Sequence, residues 1–174
     1  MIKEVKSIHH FEKLSKQWNC PENEFFWRTQ SCRRGRNFDP HSIEKNLKLQ
    51  LINSLANEGI LPYIKMWSYE INNASIAGCV FSANFNFMMS ENIFEEVLWQ
   101  MPGKFPSSMR DKKVMIELLG HAESYAKQAG FKVISIGRDP ALHNFTKEKN
   151  SGINNYYTRN NYEPASINYY KTLN

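Results

Sequence analysis

The chain has 174 residues, of which 41% are hydrophobic, 22% charged and 13% aromatic, a length and balance that suit one folded domain and exclude a disordered chain. Its 22 Lys+Arg against 17 Asp+Glu leave a net charge of +5, a mild pull on anionic partners that keeps nucleic acid, CoA-like phosphates and an acidic protein surface open. Three widely spaced cysteines, Cys20, Cys32 and Cys79, exclude a disulfide framework; with no C-x-x-C or H-x-x-x-H pair, no metal site is expected. The opening MIKEVKSIHHFEKL has no apolar signal core, and no run approaches about 20 apolar residues, so the expectation is a cytoplasmic protein with no membrane contact.

Residues 2 to 8 alternate apolar and polar (Ile2, Val5, Ile8), which predicts a first strand. HHFEKLSKQW then reads as a short helix with Phe11, Leu14 and Trp18 on one face. Residues 19 to 41 form an irregular, insertion-like loop carrying Phe25, Phe26, Trp27, Arg28, Arg33, Arg34 and Arg36. Interleaved basic and aromatic residues are compatible with nucleic acid or an anionic substrate. Arg and Trp also favour protein interfaces, so 25–36 is a candidate protein contact, ranked ahead of nucleic acid. A second helix follows the Asp39/Ser42 start, with Leu47, Leu51, Ile52 and Leu55 at helical spacing and Gly59 ending it.

Three strands in antiparallel sequence come next. LPYIKMWSYEI and SIAGCVFSANFNFMM are joined by an Asn72-Asn73 turn, Gly78 marks a bulge or close approach, and a "SEN" turn leads into ENIFEEVLWQM. The long SANFNFMM strand could offer an edge to a second copy, so a homo-oligomer is open. Residues 108 to 129 form the clearest helix, with Met115, Leu118, Leu119, Ala122, Tyr125, Ala126 and Ala129 in one stripe. Ser108 with Asp111 resembles a capping box, and Gly130 stops the helix. FKVISIG, 131 to 137, reads as a buried strand parallel to the one ending at Met101. A polar loop, a short helix INNYYTRNNY ended by a left-handed Asn161, and a last strand ASINYYKTL complete the chain.

From SIAGCVF through FEEVLWQM and MRDKKVMIELLGHAESYAKQAGFKVISIG to NNYYTRNNYEPASINYYKTL, residues 60 to 174 resemble the GNAT family of N-acetyltransferases, and most of all its divergent phage-encoded members. The resemblance implies a single α+β domain over 1–174: a mixed, mostly antiparallel twisted sheet with helices on both faces and a splayed strand pair. It implies transfer of an acetyl group from acetyl-CoA to an amine on a small molecule or protein, in the cytoplasm or, for a phage protein, the host cytoplasm or virion. A non-catalytic phage structural or host-interaction factor that keeps the fold is the alternative.

The resemblance also places the site. The backbone of Leu98, Trp99, Gln100 and Met101 would take the pantetheine arm, and the helix start at Arg110, Asp111, Lys112, Lys113, Val114 and Met115 the pyrophosphate. The family's R/Q-x-x-G-x-G/A signature keeps its Arg here, but its two small residues are Lys113 and Met115. Glycines in that signature let N–H groups approach phosphate without a Cβ in the way. Glu95 and Glu96 are the candidate bases; adjacent on a strand, they face opposite ways, Glu96 with Leu98 and Gln100, Glu95 with Val97, Trp99 and Met101. Whichever sits among apolar groups gains basicity. Tyr157 is the candidate acid for the leaving thiolate, and Asn154 a helix cap or cofactor contact.

Overall fold

The computed structural model describes residues 1–18, 40–87, 90–100, 109–136 and 159–162. Five strands form one sheet in chain order: β1 (Ile2–Glu4), β2 (Tyr63–Ile71), β3 (Ala74–Asn86), β4 (Glu91–Gln100) and β5 (Val133–Ser135). The first three junctions are antiparallel; β4 and β5 are parallel, joined through a crossover helix as parallel neighbours must be. Helices α1 (Ile8–Trp18) and α2 (Pro40–Ala56) cover one face of the sheet, and α3 (Met109–Gln128) covers the other. The expected mixed α+β sheet with helices on both faces is therefore the observed one.

Strand alternation divides the core. Tyr63, Trp67, Ala77, Cys79, Phe81 and Phe94 point toward α3 and meet Val114, Met115, Leu118, Leu119, Ala122 and Ala126. Ile64, Met66 and Val80 point the other way and meet Phe11, Leu14, Leu47 and Leu51. Trp67 is the pivot of the first layer, 1% exposed, with ring centroids of Phe81, Phe94, His121 and Tyr125 at 6.3, 6.1, 5.5 and 5.4 Å.

Several expectations are met by specific geometry. Asn72 and Asn73 take φ of 50° and 62°, the paired left-handed turn that a tight hairpin requires. Gly130 ends α3 at φ 83°, and Asn161 sits at φ 61°.

Others are corrected. The first strand stops at Glu4 rather than residue 8, because Ser7 caps a helix that starts at Ile8: its hydroxyl accepts the His10 N–H at 3.1 Å and its carbonyl the Phe11 N–H at 3.1 Å. The irregular segment ends sooner than 41, since Pro40 already opens α2, the position where a missing N–H costs nothing. The bulge is not at Gly78, which pairs regularly with Ser68 and Gln100; it is at Ile76, between the Tyr69–Ala77 and Glu70–Ser75 pairs. Of the α2 stripe, Leu47 and Leu51 are buried, but Ile52 and Leu55 face solvent. Segment 19–39, the Ser108 cap, Trp18's side chain and the last strand lie outside the described residues.

A buried polar cluster pins the N-terminal elements to the sheet. Glu70, with a side chain 8% exposed, accepts from Lys3 Nζ at 2.6 Å, His10 Nε2 at 3.1 Å and Ser68 Oγ at 3.1 Å. Burial alone would raise its carboxyl, but these donors outweigh it and hold it at about 2, below the ordinary 4.5. The folded state therefore prefers the charged form. The stabilisation is complete above pH 4.5 and is lost as the pH falls toward 2. Glu70→Gln should cost about 1–3 kcal/mol in urea unfolding at neutral pH. That difference should narrow steadily as both proteins are titrated into the acid range; a constant difference would mean the carboxylate charge is not what the cluster uses.

Candidate active site

The site begins with a mismatch between β4 and its neighbours. β5 pairs with β4 only through Ile93–Val133, Phe94–Ile134 and Glu95–Ser135. β4 then runs on to Gln100, paired on the β3 side alone: Glu96 with Phe81, Leu98 with Val80, Trp99 with Cys79 and Gln100 with Gly78. Among the described residues, the other backbone edge of 96–100 has no strand beside it. Such an edge presents N–H and C=O groups that an extended amide-bearing ligand can pair with.

The same ladder skips Val97. Phe81 faces Glu96 and Val80 faces Leu98, so Val97 is an extra residue, a bulge two residues past the last described β4–β5 pair. The bulge corrects the expected faces. Position 96 lies on the α3 side, opposite Phe81, while position 98 lies on the α1–α2 side, opposite Val80; Glu96 does not share a face with Leu98 and Gln100 by simple alternation. Glu95, opposite Ser82, lies on the α1–α2 side and is exposed.

Glu96 is half-buried, opposite Phe81 and one step along from Phe94 on the same face. Its carboxylate is close enough to act on Cys79: burial pushes that thiol up, and Glu96 pushes it further. Cys79 is fully buried and carries no partner sulfur, so it is a core side chain that reports where Glu96 points. No cluster of His, Cys, Asp or Glu among the described residues has the grouping to hold a metal ion.

The second part of the site is the start of α3. A helix between two parallel neighbouring strands must run back along the sheet, so Met109 lies at the end where β4 finishes. Its first-turn N–H groups have no carbonyl to accept them within the helix, and the dipole is positive there. Val114 and Met115 lie beyond that turn, with side chains in the core at 5% and 8% exposure. Lys113 is the opposite: its side chain is 79% exposed and reaches Glu117 only at 4.0 Å, a weak pair that leaves the ammonium available. The side chains of Arg110, Asp111, Lys112, Leu98, Trp99 and Gln100, and all of Met101, Asn154 and Tyr157, fall outside the described residues.

Among the described residues, Glu96 and the bulge thus lie on the stretch of β4 beyond its last pair with β5, and Glu95 lies on the other face of the sheet. The bulge itself was not legible in FEEVLWQM. A bulge is a property of two strands in register, and its only trace in the sequence is a pattern that can be alternated either way.

Comparison with known proteins bears on the fold. No family model matches the chain, and no curated protein does either. Solved structures do. A GNAT family acetyltransferase of Staphylococcus aureus superposes with a TM-score of 0.58 over 99% of this chain and 98% of its own, at 14% identity. A predicted acetyltransferase of Clostridium acetobutylicum solved with acetyl-CoA gives 0.57 over 100% and 96%, at 17% identity. An aminoglycoside N-acetyltransferase solved with CoA gives 0.59 over 99% and 93%, at 10% identity. The chain has the fold of the GNAT acetyltransferases. The phage source expected from the sequence has no counterpart in these matches. No helix among the described residues is long and apolar enough to cross a membrane.

Proposed function

We propose that the protein is an acyl-CoA-dependent N-acetyltransferase that uses the gap between β4 and β5. The observation that carries this reading is that, among the described residues, the β4–β5 ladder ends at Glu95–Ser135 while β4 continues past a bulge to Gln100. The residues present fit acetyl-CoA. The edge of 96–100 that has no strand beside it among the described residues would offer backbone partners to a pantetheine arm, and the start of α3 would offer N–H donors and the Lys113 ammonium to a pyrophosphate. Met115, bulky where the family signature has a small residue, is turned into the core and does not stand over the helix start. Acetyl-CoA supplies an activated acyl group. The protein's own work is to hold the acyl carbon beside the acceptor and to take the amine's proton, directly or through water; Glu96 is assigned that base role. Tyr157 is assigned proton delivery to the departing thiolate. The acceptor is an amine of a small molecule or a protein.

Titration calorimetry with acetyl-CoA tests the reading. Binding in the micromolar range is expected, and Lys113→Glu should weaken it several-fold, since a surface charge at a helix start is worth about 0.3–1 kcal/mol and reversal doubles the change. Lys45→Glu, on the layer across the sheet, should leave it unchanged. No heat at millimolar ligand would reject the enzyme and leave a binding protein with an acetyltransferase fold.

A further inference from the structure

We propose that Glu123 and Tyr162 are positioning residues for Tyr157: the hydrogen bond between them fixes the backbone just beyond Tyr157 against α3. This role rests on the acetyl-transfer reading above, in which Tyr157 protonates the departing thiolate. The Tyr162 hydroxyl donates to Glu123 Oε1, across 39 residues of chain. Hydroxyl to carboxylate is a charge-assisted bond, roughly twice as strong as one between neutral groups. Glu123 and Tyr162 are both half-buried, whereas Arg159, Asn160 and Asn161 are exposed.

The α3 end of this bond is rigid. Leu119 and Ala126, about one turn to either side of Glu123, are each 4% exposed in the core, so the helix cannot shift there without disturbing that layer. At the other end, Arg159 is helical and Asn161 takes φ 61°, a left-handed conformation that Asn adopts more readily than most residues. The chain leaves its helical turn at Asn161 and is tied down one residue later, at Tyr162. Tyr157 precedes Arg159 by two residues, so its Cα lies within about 7 Å of the Arg159 Cα whatever the backbone between them. Holding 159–162 therefore bounds where Tyr157 can be. As the C–S bond breaks, the Tyr157 proton passes to the sulfur and the phenolate takes one back from water. That transfer needs hydrogen-bond reach, and a displacement of about 1 Å can cost roughly 10²-fold. In this role Glu123 and Tyr162 touch no reacting atom; they act through Tyr157.

The test follows release of CoA thiol from acetyl-CoA with the fastest acceptor of a panel of primary amines, and acetyl-CoA affinity by calorimetry. Tyr162→Phe removes the donor and keeps the ring; Glu123→Ala removes the acceptor. Each should lower kcat by about 10-fold or more with acetyl-CoA affinity unchanged. The two together should lose no more than either alone, as partners in one bond do. Glu123→Gln keeps an acceptor oxygen and should recover most of the rate. The deciding comparison is made in Tyr157→Phe, where adding Tyr162→Phe should have no further effect. Matching circular dichroism spectra establish that each variant is folded, and Glu123 and Tyr162 lie on different elements, so the failure of one variant to fold leaves the other decisive. Full activity in both Tyr162→Phe and Glu123→Ala overturns the proposal and leaves the acetyl-transfer reading standing. An undiminished loss when Tyr162→Phe is added to Tyr157→Phe overturns it too, since the bond would then act without Tyr157. Absence of turnover by the unaltered protein removes the role together with the enzyme.

Discussion

Trp67→Ala should destabilise the protein by about 3–5 kcal/mol, the range for deleting a large aromatic from a packed core. Trp67 is 1% exposed at the centre of β2 and is edged by four rings, from β3, β4 and α3. Two of those neighbours, Phe81 and Phe94, stack on each other at 5.1 Å, so they cannot both move into the vacated space without giving up that contact. The void would therefore persist, and the cost is transfer energy plus cavity. At this chain length the melting temperature should drop by about 2–4 °C per kcal/mol, roughly 6–20 °C in all. Against a total stability of about 5–15 kcal/mol, part of the population would unfold. Trp67→Phe keeps an aromatic ring and should cost clearly less. Urea unfolding followed by far-ultraviolet circular dichroism reads both. A loss under about 1 kcal/mol for the alanine variant would mean the layer under α3 collapses freely and is not a jigsaw around Trp67.

The parts of this fold that were legible in the sequence are those whose signal is local. The α3 stripe from Met115 to Ala126 repeats at helical spacing and nothing else explains it. Asn72-Asn73 and Gly130 stand where left-handed backbone is needed. What escaped is what arises between elements. Glu70 meets His10 across 60 residues and Lys3 across 67, so no window of sequence contains the cluster; its only trace is that Ser68 and Glu70 fall on the same strand face as Ile64 and Met66. α2 misled for a different reason. Leucines at positions 47, 51 and 55 and Ile52 all suit a helix, but only tertiary contact decides which of two apolar rows faces the sheet. The site divides the same way. The helix start and the two glutamates could be named from the sequence, whereas the choice between those glutamates depended on the pairing of β4 with β3.

That choice leads to the largest functional effect expected. Glu96→Gln keeps the shape and the hydrogen-bonding reach of the side chain but removes its capacity to take a proton, so kcat should fall by about 10²–10⁴-fold, the range for general base catalysis. Acetyl-CoA affinity should be nearly unchanged, because the cofactor contacts proposed for β4 are made by backbone. Glu95→Gln, one residue away and exposed on the other face of the sheet, should leave kcat close to wild type. The pair of variants separates geometry from proximity: both glutamates are at the fork between β4 and β5, and only their faces differ. The comparison needs an acceptor, and thioester turnover can be followed with a panel of primary amines by the release of free CoA thiol. Equal losses in the two variants would make the fork's overall negative charge the active feature. A larger loss at Glu95 would move the acceptor to the α1–α2 side of the sheet. Val97 is the extra residue between the Phe81–Glu96 and Val80–Leu98 pairs, and it sets Glu96 opposite Phe81 on the α3 side while β4 stays paired with β3 to Gln100.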